Sequence, residues 1–263
     1  MDASQGLAAD VQLALRIADS TDELTLQRFR AADLRIETKP DATPVTDADR
    51  GAESLVRERL ATARPADAVL GEEQGETGAG AQRRWIVDPI DGTKNFARGV
   101  PVWATLLALE VAGEVVAGVV SAPALGRRWW ASAGGGAWAR EFGSPPRRLH
   151  VSGVTQLADA SFSYSSLAGW HARGTLSGLL GLCERVWRTR AYGDFWSYML
   201  VAEGVVDIAA EPEVSRWDLA ALDVVVREAG GRFTALDGTP GSGGGSALAT
   251  NGLLHEQART LLA

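Results

Sequence analysis

Residues 85–96 read WIVDPIDGTKNF, an apolar run that ends in two carboxylates, Asp88 and Asp91, separated by Pro89 and Ile90. The run itself reads as a buried strand. Two like charges at the mouth of a strand raise at least one pKa unless a cation joins them. Pro89 offers no backbone N–H, which leaves the Ile90 carbonyl aimed where its two neighbours point. Gly92, Thr93 and Lys94 follow directly. If a helix starts there, its free N–H groups form an anion site, and Gly92 lets the backbone approach a phosphate closely.

A chain of 263 residues with 46% hydrophobic side chains can bury a large core, as one large domain or two smaller ones sharing an interface. Its net charge of −7 and the lack of a long basic run exclude nucleic acid as a principal partner. The pairs Arg83-Arg84, Arg127-Arg128 and Arg147-Arg148 are expected on a solvated surface. Cys183 is the single cysteine, so an internal disulfide and a thiolate metal site are excluded, and its leucine-rich surroundings predict a buried thiol. The opening MDASQGLAAD lacks the features of a signal peptide, and no apolar stretch reaches membrane-spanning length. These features predict a cytoplasmic protein without a membrane partner.

Leu7, Val11, Leu15, Ala18, Asp22 and Leu26 recur at spacings of three and four, which predicts a helix over 7–29. TKPDATPVTDAD (38–49) reads as a polar loop, and either Thr46 or Asp47 could cap a following helix. Residues 75–82 are Gly-rich and predict a flexible excursion. Strands are predicted at 103–109, 115–121 and 128–131, an antiparallel meander. The polar, proline-bearing segment 141–153 divides an N-terminal α+β half, 1–150, from a C-terminal α/β half, 151–263. In the latter, strands near 160–164 and 206–210 alternate with helical patterns at 172–187, 195–203 and 218–229.

Acidic groups outside the opening stretch complete a pattern. Glu72 lies in Gly71-Glu72-Glu73 after an apolar run, and Asp218 follows Trp217 with Ser215 three residues before it. Capping a helix N-terminus is the simplest reading of Asp218 alone. Together, Glu72, Asp88, Asp91, Asp218 and the Ile90 carbonyl supply enough hard oxygen ligands for two Mg²⁺ ions. Carboxylates would hold cations, cations would hold a phosphate, and the Gly92-Thr93 turn would hold that phosphate from its other side. His150, His171 and His255 lie outside these motifs and are expected on the surface or in loops.

In chain order, PVTDADR, GEE, WIVDPIDGTKNF and WDLAALDVVVREAGG resemble the inositol monophosphatase-like metal-dependent phosphatases. More narrowly, LRIETKPDATPVTDADR, GVPVWATLLAL, SAPALGRRWWA and RAYGDFWSY look like the histidinol-phosphate phosphatases of that family. The resemblance implies a layered αβαβα sandwich, usually dimeric, and two or three Mg²⁺ ions held by Glu72, Asp88, the Ile90 carbonyl, Asp91 and Asp218. It further implies that Gly92 and Thr93 cradle phosphate and that Thr93 with Asp47 helps activate the attacking water. Glu211 matches a substrate-contacting glutamate, and Arg190 and Asp194 fall in the segment lining the substrate pocket.

The activity so implied is hydrolysis of L-histidinol phosphate, a small phosphate monoester. Inositol-1-phosphate, fructose-1,6-bisphosphate and phosphorylated adenosine nucleotides are the competing substrates, and a non-catalytic metal or phosphate sensor is the competing class. The substrate's ammonium and imidazole call for carboxylates away from the metals, and Asp194 and Glu211 are the candidates. The alternative for Asp194 is that it caps a helix beginning at Phe195.

Overall fold

Every second residue of the apolar run faces the same way in a strand, and Trp85, Ile86 and Val87 are all buried, so both faces of this strand must be covered. A computed structural model describes residues 3–40 and 43–262 and shows what covers them. The chain begins α1 (Ala3–Arg28), β1 (Ile36–Thr38), β2 (Pro44–Thr46), α2 (Asp47–Ala63). Then come β3 (Ala68–Gly71), β4 (Gly75–Thr77), β5 (Arg83–Asp91), α3 (Thr93–Arg98), β6 (Ala104–Val111) and β7 (Glu114–Ala122). The meander closes with β8 (Arg127–Ser132), β9 (Gly136–Glu141) and β10 (Arg147–Arg148). The second part holds β11 (Ser161–Tyr164), α4 (Leu167–Ala172), α5 (Leu176–Cys183), β12 (Arg188–Arg190) and α6 (Asp194–Ala202). It ends with β13 (Ile208–Glu211), α7 (Arg216–Glu228), β14 (Arg232–Thr234), β15 (Ala247–Thr250) and α8 (His255–Leu262).

Eight strands form one sheet in the order β10-β9-β8-β7-β6-β5-β3-β4, and five form another in the order β12-β11-β13-β15-β14. Trp85, Val87, Leu107 and Val119 pack against α1 and α2, whereas Ile86, Leu106, Ala108 and Val120 pack against α6 and α7. The other face of α6 and α7 meets Ala209, Phe233, Ala247 and Ala249 of the second sheet. Beyond that sheet, Phe162, Ile208 and Leu248 pack against α4, α5 and α8. The layers therefore run helix, sheet, helix, sheet, helix, the sandwich that the resemblance implies. Gly118 of β7 shows how closely the central helices sit: a Cβ there would lie 2.7 Å from Val224 and 2.9 Å from the Ala221 carbonyl of α7.

Several local expectations need revision. Gly75–Thr77 pairs with β3 as a strand inside the predicted flexible excursion. The helix expected over 172–187 is two short helices, α4 and α5, parted at Gly174, whose φ is +73°, followed by an edge strand. Arg128 is 2% exposed and not on a solvated surface. It hydrogen-bonds Asp22 and Asp19 of α1, each at 2.6 Å, and Ser121 at 2.9 Å, so Asp22 enters the apolar stripe of α1 with its cation waiting beneath. Arg83 pairs with Asp67 and Asp10, and Arg127 with Glu203. Arg147 and Arg148 are exposed. Cys183 is half-buried, with its thiol pKa raised by burial. His255 is fully buried between Thr234 and Thr250, 3.0 Å from each hydroxyl, and burial pulls its pKa down to about 4. No helix among the described residues is long and apolar enough to cross a membrane. Asp41 and Ala42 of the predicted loop lie outside the described residues.

Candidate active site

The regular pairing of β5 with β6 is interrupted between Asp88 and Asp91, where Pro89 has no N–H to give. The Pro89 carbonyl accepts from Thr105 Oγ1 at 2.8 Å, and Asp88 Oδ1 accepts from the Ile90 N–H at 3.0 Å. This irregular strand end turns both carboxylates to one place. Parallel pairing sets Gly71 opposite Val87, so Glu72 leaves β3 beside Asp88, with its N–H on the Val87 carbonyl at 3.2 Å. Asp218 reaches the same place from the first turn of α7. It accepts from the Ser215 N–H at 2.7 Å in a capping box, so capping and membership of the acid group coexist in one side chain.

One carboxylate oxygen from each of Asp88, Asp91 and Asp218 lies within 4.8 Å of the others. Burial first, then the charges of Glu72, Asp91 and Asp218, raise the Asp88 pKa well above the carboxylate range. Burial and the neighbouring Asp194 and Asp218 do the same to Asp91, and burial lifts Asp218 to about 6. Among the described residues no Lys or Arg forms an ion pair with any of the three. Close carboxylates, buried or partly buried and without a cationic side chain to pair with, are a hard-oxygen donor set that fits divalent cations such as Mg²⁺.

Gly92 has φ +84°, and a Cβ there would come within 3.0 Å of both Asp194 Oδ2 and the Val102 carbonyl. It leads into α3, whose first residue is Thr93. The Thr93 hydroxyl lies 3.0 Å from two acceptors, Asp49 Oδ1 and the Ile90 carbonyl. Here the structure corrects the expected Thr93–Asp47 pair. Asp47 is the first residue of α2, and its Oδ2 accepts from Arg28 at 2.8 Å instead of from Thr93. Asp49, two residues on, is fully buried and closes a capping box with Thr46, which settles Thr46 as the cap. An acid three residues after a threonine is the capping-box signal, and it could have singled out Asp49 in the sequence.

A cavity of about 240 Å³ opens beside the acid group, lined by Glu72, Asp91, Thr93, Asp194, Glu211 and Asp218 among others. Asp194 stands at the start of α6 with φ +41°, a left-handed conformation that costs a non-glycine residue energy. It does not cap the helix from Phe195, whose N–H goes instead to Asp91 Oδ2 at 2.7 Å. Asn95 donates to Asp194 Oδ2 at 3.0 Å and to the Val102 carbonyl at 2.9 Å; sequence reasoning did not single out Asn95. Glu211 accepts from Tyr198 at 3.0 Å, and burial, then the Asp194 charge, push its pKa to about 8. Arg190 does not reach this cavity. It ends the exposed edge strand β12 and donates to the Thr189 carbonyl at 2.7 Å. Lys39 spans Glu72 and Glu73 at 2.8 and 2.6 Å; burial opposes its charge, but these two carboxylates outweigh burial and raise its pKa.

Comparison with known proteins places this geometry. The chain is 64% identical over 253 residues to a histidinol-phosphatase of Mycobacterium tuberculosis, spanning 96% of this chain and 97% of that protein. It is 58% identical over 252 residues to a histidinol-phosphatase of Streptomyces coelicolor, with 94% of each covered. Among solved structures, the extragenic suppressor protein suhB of Bartonella henselae superposes with a TM-score of 0.88 at 30% identity, over 97% of this chain and 98% of that one. A Thermotoga maritima IMPase superposes with a TM-score of 0.86 at 27% identity, over 97% and 96%. The profile of the inositol monophosphatase family matches residues 2–263, and with the buried acids, the Thr93–Asp49 pair and the five-layer sandwich in place, the chain belongs to that family.

Proposed function

We propose that this protein is a Mg²⁺-dependent phosphomonoesterase that hydrolyses L-histidinol phosphate to L-histidinol and phosphate. The observation that carries the reading is the cavity itself, which runs from Glu72, Asp91 and Asp218 to a second acidic group, Asp194 and Glu211. Full-length identity to two histidinol-phosphatases supports the substrate.

Glu72, Asp88, the Ile90 carbonyl, Asp91 and Asp218 would hold two or three divalent cations. When bound, those cations supply Lewis acidity and neutralise charge on the transferring phosphoryl group. Gly92 and Thr93 present backbone N–H groups to the phosphate oxygens. The Thr93 hydroxyl has one proton and two acceptors. When it gives that proton to Asp49, its oxygen is free to accept one from water. Burial raises the Asp49 pKa, against the hydrogen bonds from Thr46 and Thr93, which makes it a better terminus for that proton. As the water proton passes to Thr93 and the Thr93 proton to Asp49, the water oxygen bonds to phosphorus. The ester P–O bond breaks with its electron pair going to the histidinol oxygen, and that oxygen takes up a proton from solvent water. Asp194 and Glu211 face the alcohol, where an ammonium and a partly protonated imidazole would meet them.

Residues 1–150 would then carry most of the hydrolytic groups, and 151–263 would complete the site and choose the alcohol. A homodimer acting in the cytoplasm belongs to the same proposal. The test is phosphate release from histidinol phosphate and from inositol-1-phosphate, each with and without Mg²⁺. Faster turnover of inositol-1-phosphate would sink the substrate assignment, and Mg²⁺-independent turnover would sink the mechanism.

A further inference from the structure

Helix α2 carries a second buried acid that the chemistry above does not use. Glu53 is fully buried one helical turn after Asp49, and Arg57 follows one turn later, so the three share one face. The Glu53 carboxylate sits under the turn between β3 and β4. Its Oε2 accepts from the Glu73 N–H at 2.7 Å, and its Oε1 accepts from the Gln74 N–H at 3.1 Å and from Arg57 Nε at 2.8 Å. Arg57 also donates to the Gly75 carbonyl and to Thr77, tying the same helix to β4. With the Glu72 N–H on Val87, every backbone donor from 72 to 74 is held.

Gly71 shows how tightly the carboxylate fits. Its φ lies outside the left-handed region, so its backbone does not require glycine, yet a Cβ there would lie 2.2 Å from Glu53 Oε1 and 2.4 Å from Cδ. Glycine at 71 therefore makes room for a side chain and not for a turn. Glu53 is an anion enclosed by two backbone donors and a guanidinium, a geometry that fixes the turn rather than merely filling space.

We propose that Glu53 is a positioning residue for Glu72: it clamps residues 72–74 so that the Glu72 carboxylate faces Asp88, Asp91 and Asp218. Cation affinity then depends on a side chain that never touches the cation. Because Asp49 and Glu53 project from successive turns of α2, one rigid helix sets both the Thr93 contact and the Glu72 position. The inference rests on Glu72 being a cation ligand.

The experiment is Mn²⁺ binding by isothermal titration calorimetry to wild type, Glu53→Gln and Glu72→Gln, with thermal melts of each in chelator. Removing a group that orients a ligand costs roughly 10–100-fold in metal affinity, and a loss in that range is expected for Glu53→Gln with the chelated protein still folded. A folded Glu53→Gln with wild-type Mn²⁺ affinity, beside a weakened Glu72→Gln, overturns the positioning role alone. Unchanged affinity in Glu72→Gln overturns the ligand reading beneath it. If Glu53→Gln does not fold, Gly71→Ala carries the test, because its methyl must push the carboxylate from the turn; wild-type affinity in that variant also overturns the proposal.

Discussion

Thr93 Oγ1 and Asp49 Oδ1 meet at 3.0 Å across 44 residues of sequence, joining the first turn of α3 to the first turn of α2. If this pair receives the proton of the attacking water, Asp49→Asn lowers kcat by about 10²–10⁴-fold, the usual worth of a positioned general base. Thr93→Ala lowers kcat more than it raises KM, since the backbone N–H groups remain. Asp47→Asn leaves kcat near wild type, because it loses only a half-exposed pair with Arg28. Steady-state kinetics on the three variants decide the matter, and a large kcat loss in Asp47→Asn alone would restore Asp47 to the role.

Asp91→Asn separates the two costs of packing like charges together. Activity falls by orders of magnitude while the protein stays folded, because Asn retains an oxygen for the Phe195 N–H. In chelator the variant melts at or above wild type. The folded-state pKa of Asp91 is raised, so its ionised form destabilises the native protein above the ordinary carboxylate range. Mg²⁺ is expected to raise the melting temperature of wild type and to have little effect on that of the variant. Near-normal turnover at saturating Mg²⁺ would remove Asp91 from the site.

For Asp194→Asn we expect a higher KM for histidinol phosphate and little change for a small generic phosphate ester. The Asn95 contact to Asp194 Oδ2 can survive through the amide oxygen, so the variant tests charge more than shape. Equal losses on both substrates would assign Asp194 a structural role.

His255 gives the fold a pH dependence of its own. Its folded pKa of about 4 lies below the ordinary value of 6.5, so the unfolded chain binds the extra proton between those limits. Stability is retained above about pH 6.5 and declines as pH falls towards 4, by up to about 3 kcal/mol from this group. Urea midpoints from pH 7.5 to 4.5 measure the slope, and His255→Gln should flatten it. Parallel curves for the two proteins would refute the assignment.

Arg128→Met leaves the Asp22 carboxylate buried without its cation and should destabilise the protein by about 3–5 kcal/mol. Adding Asp22→Leu recovers most of that loss. Both variants keep wild-type KM once folded, as the network lies on the α1 side of the first sheet. Denaturant midpoints with and without the second substitution provide the check.

The acid group was legible in the sequence because its members sit in short, dense motifs, where Pro89 and the strand end leave few alternatives. The resemblance implies Asp47, but Asp47 and Asp49 lie two residues apart, and a helix beginning at 47 points them about 200° apart. Only the start of the helix says which one faces inward. Arg190 shares a short segment with Asp194, but the turn at Gly193, with φ +96°, separates an edge strand from a helix and sends the two side chains to different places. Arg128 and His255 look like surface residues because their partners, Asp22 and Thr234, are distant in the chain, and residue type alone does not report long-range pairing.

The first sheet and α7 present Glu72, Asp88, Asp91 and Asp218, whereas Asp194 and Glu211 come from α6 and the second sheet. On the proposed function, the groups that break the phosphate ester and those that choose the leaving alcohol thus come from different elements, which meet where α6 packs beside α7 in the central helical layer. If Asp194 and Glu211 face the alcohol as proposed, substitutions at these two side chains would retune the substrate repertoire while the Phe195 N–H still holds Asp91. Such a molecule would be able to change clients during divergence without rebuilding its chemistry, and a protein engineer would vary two side chains while keeping the α6 backbone that holds Asp91.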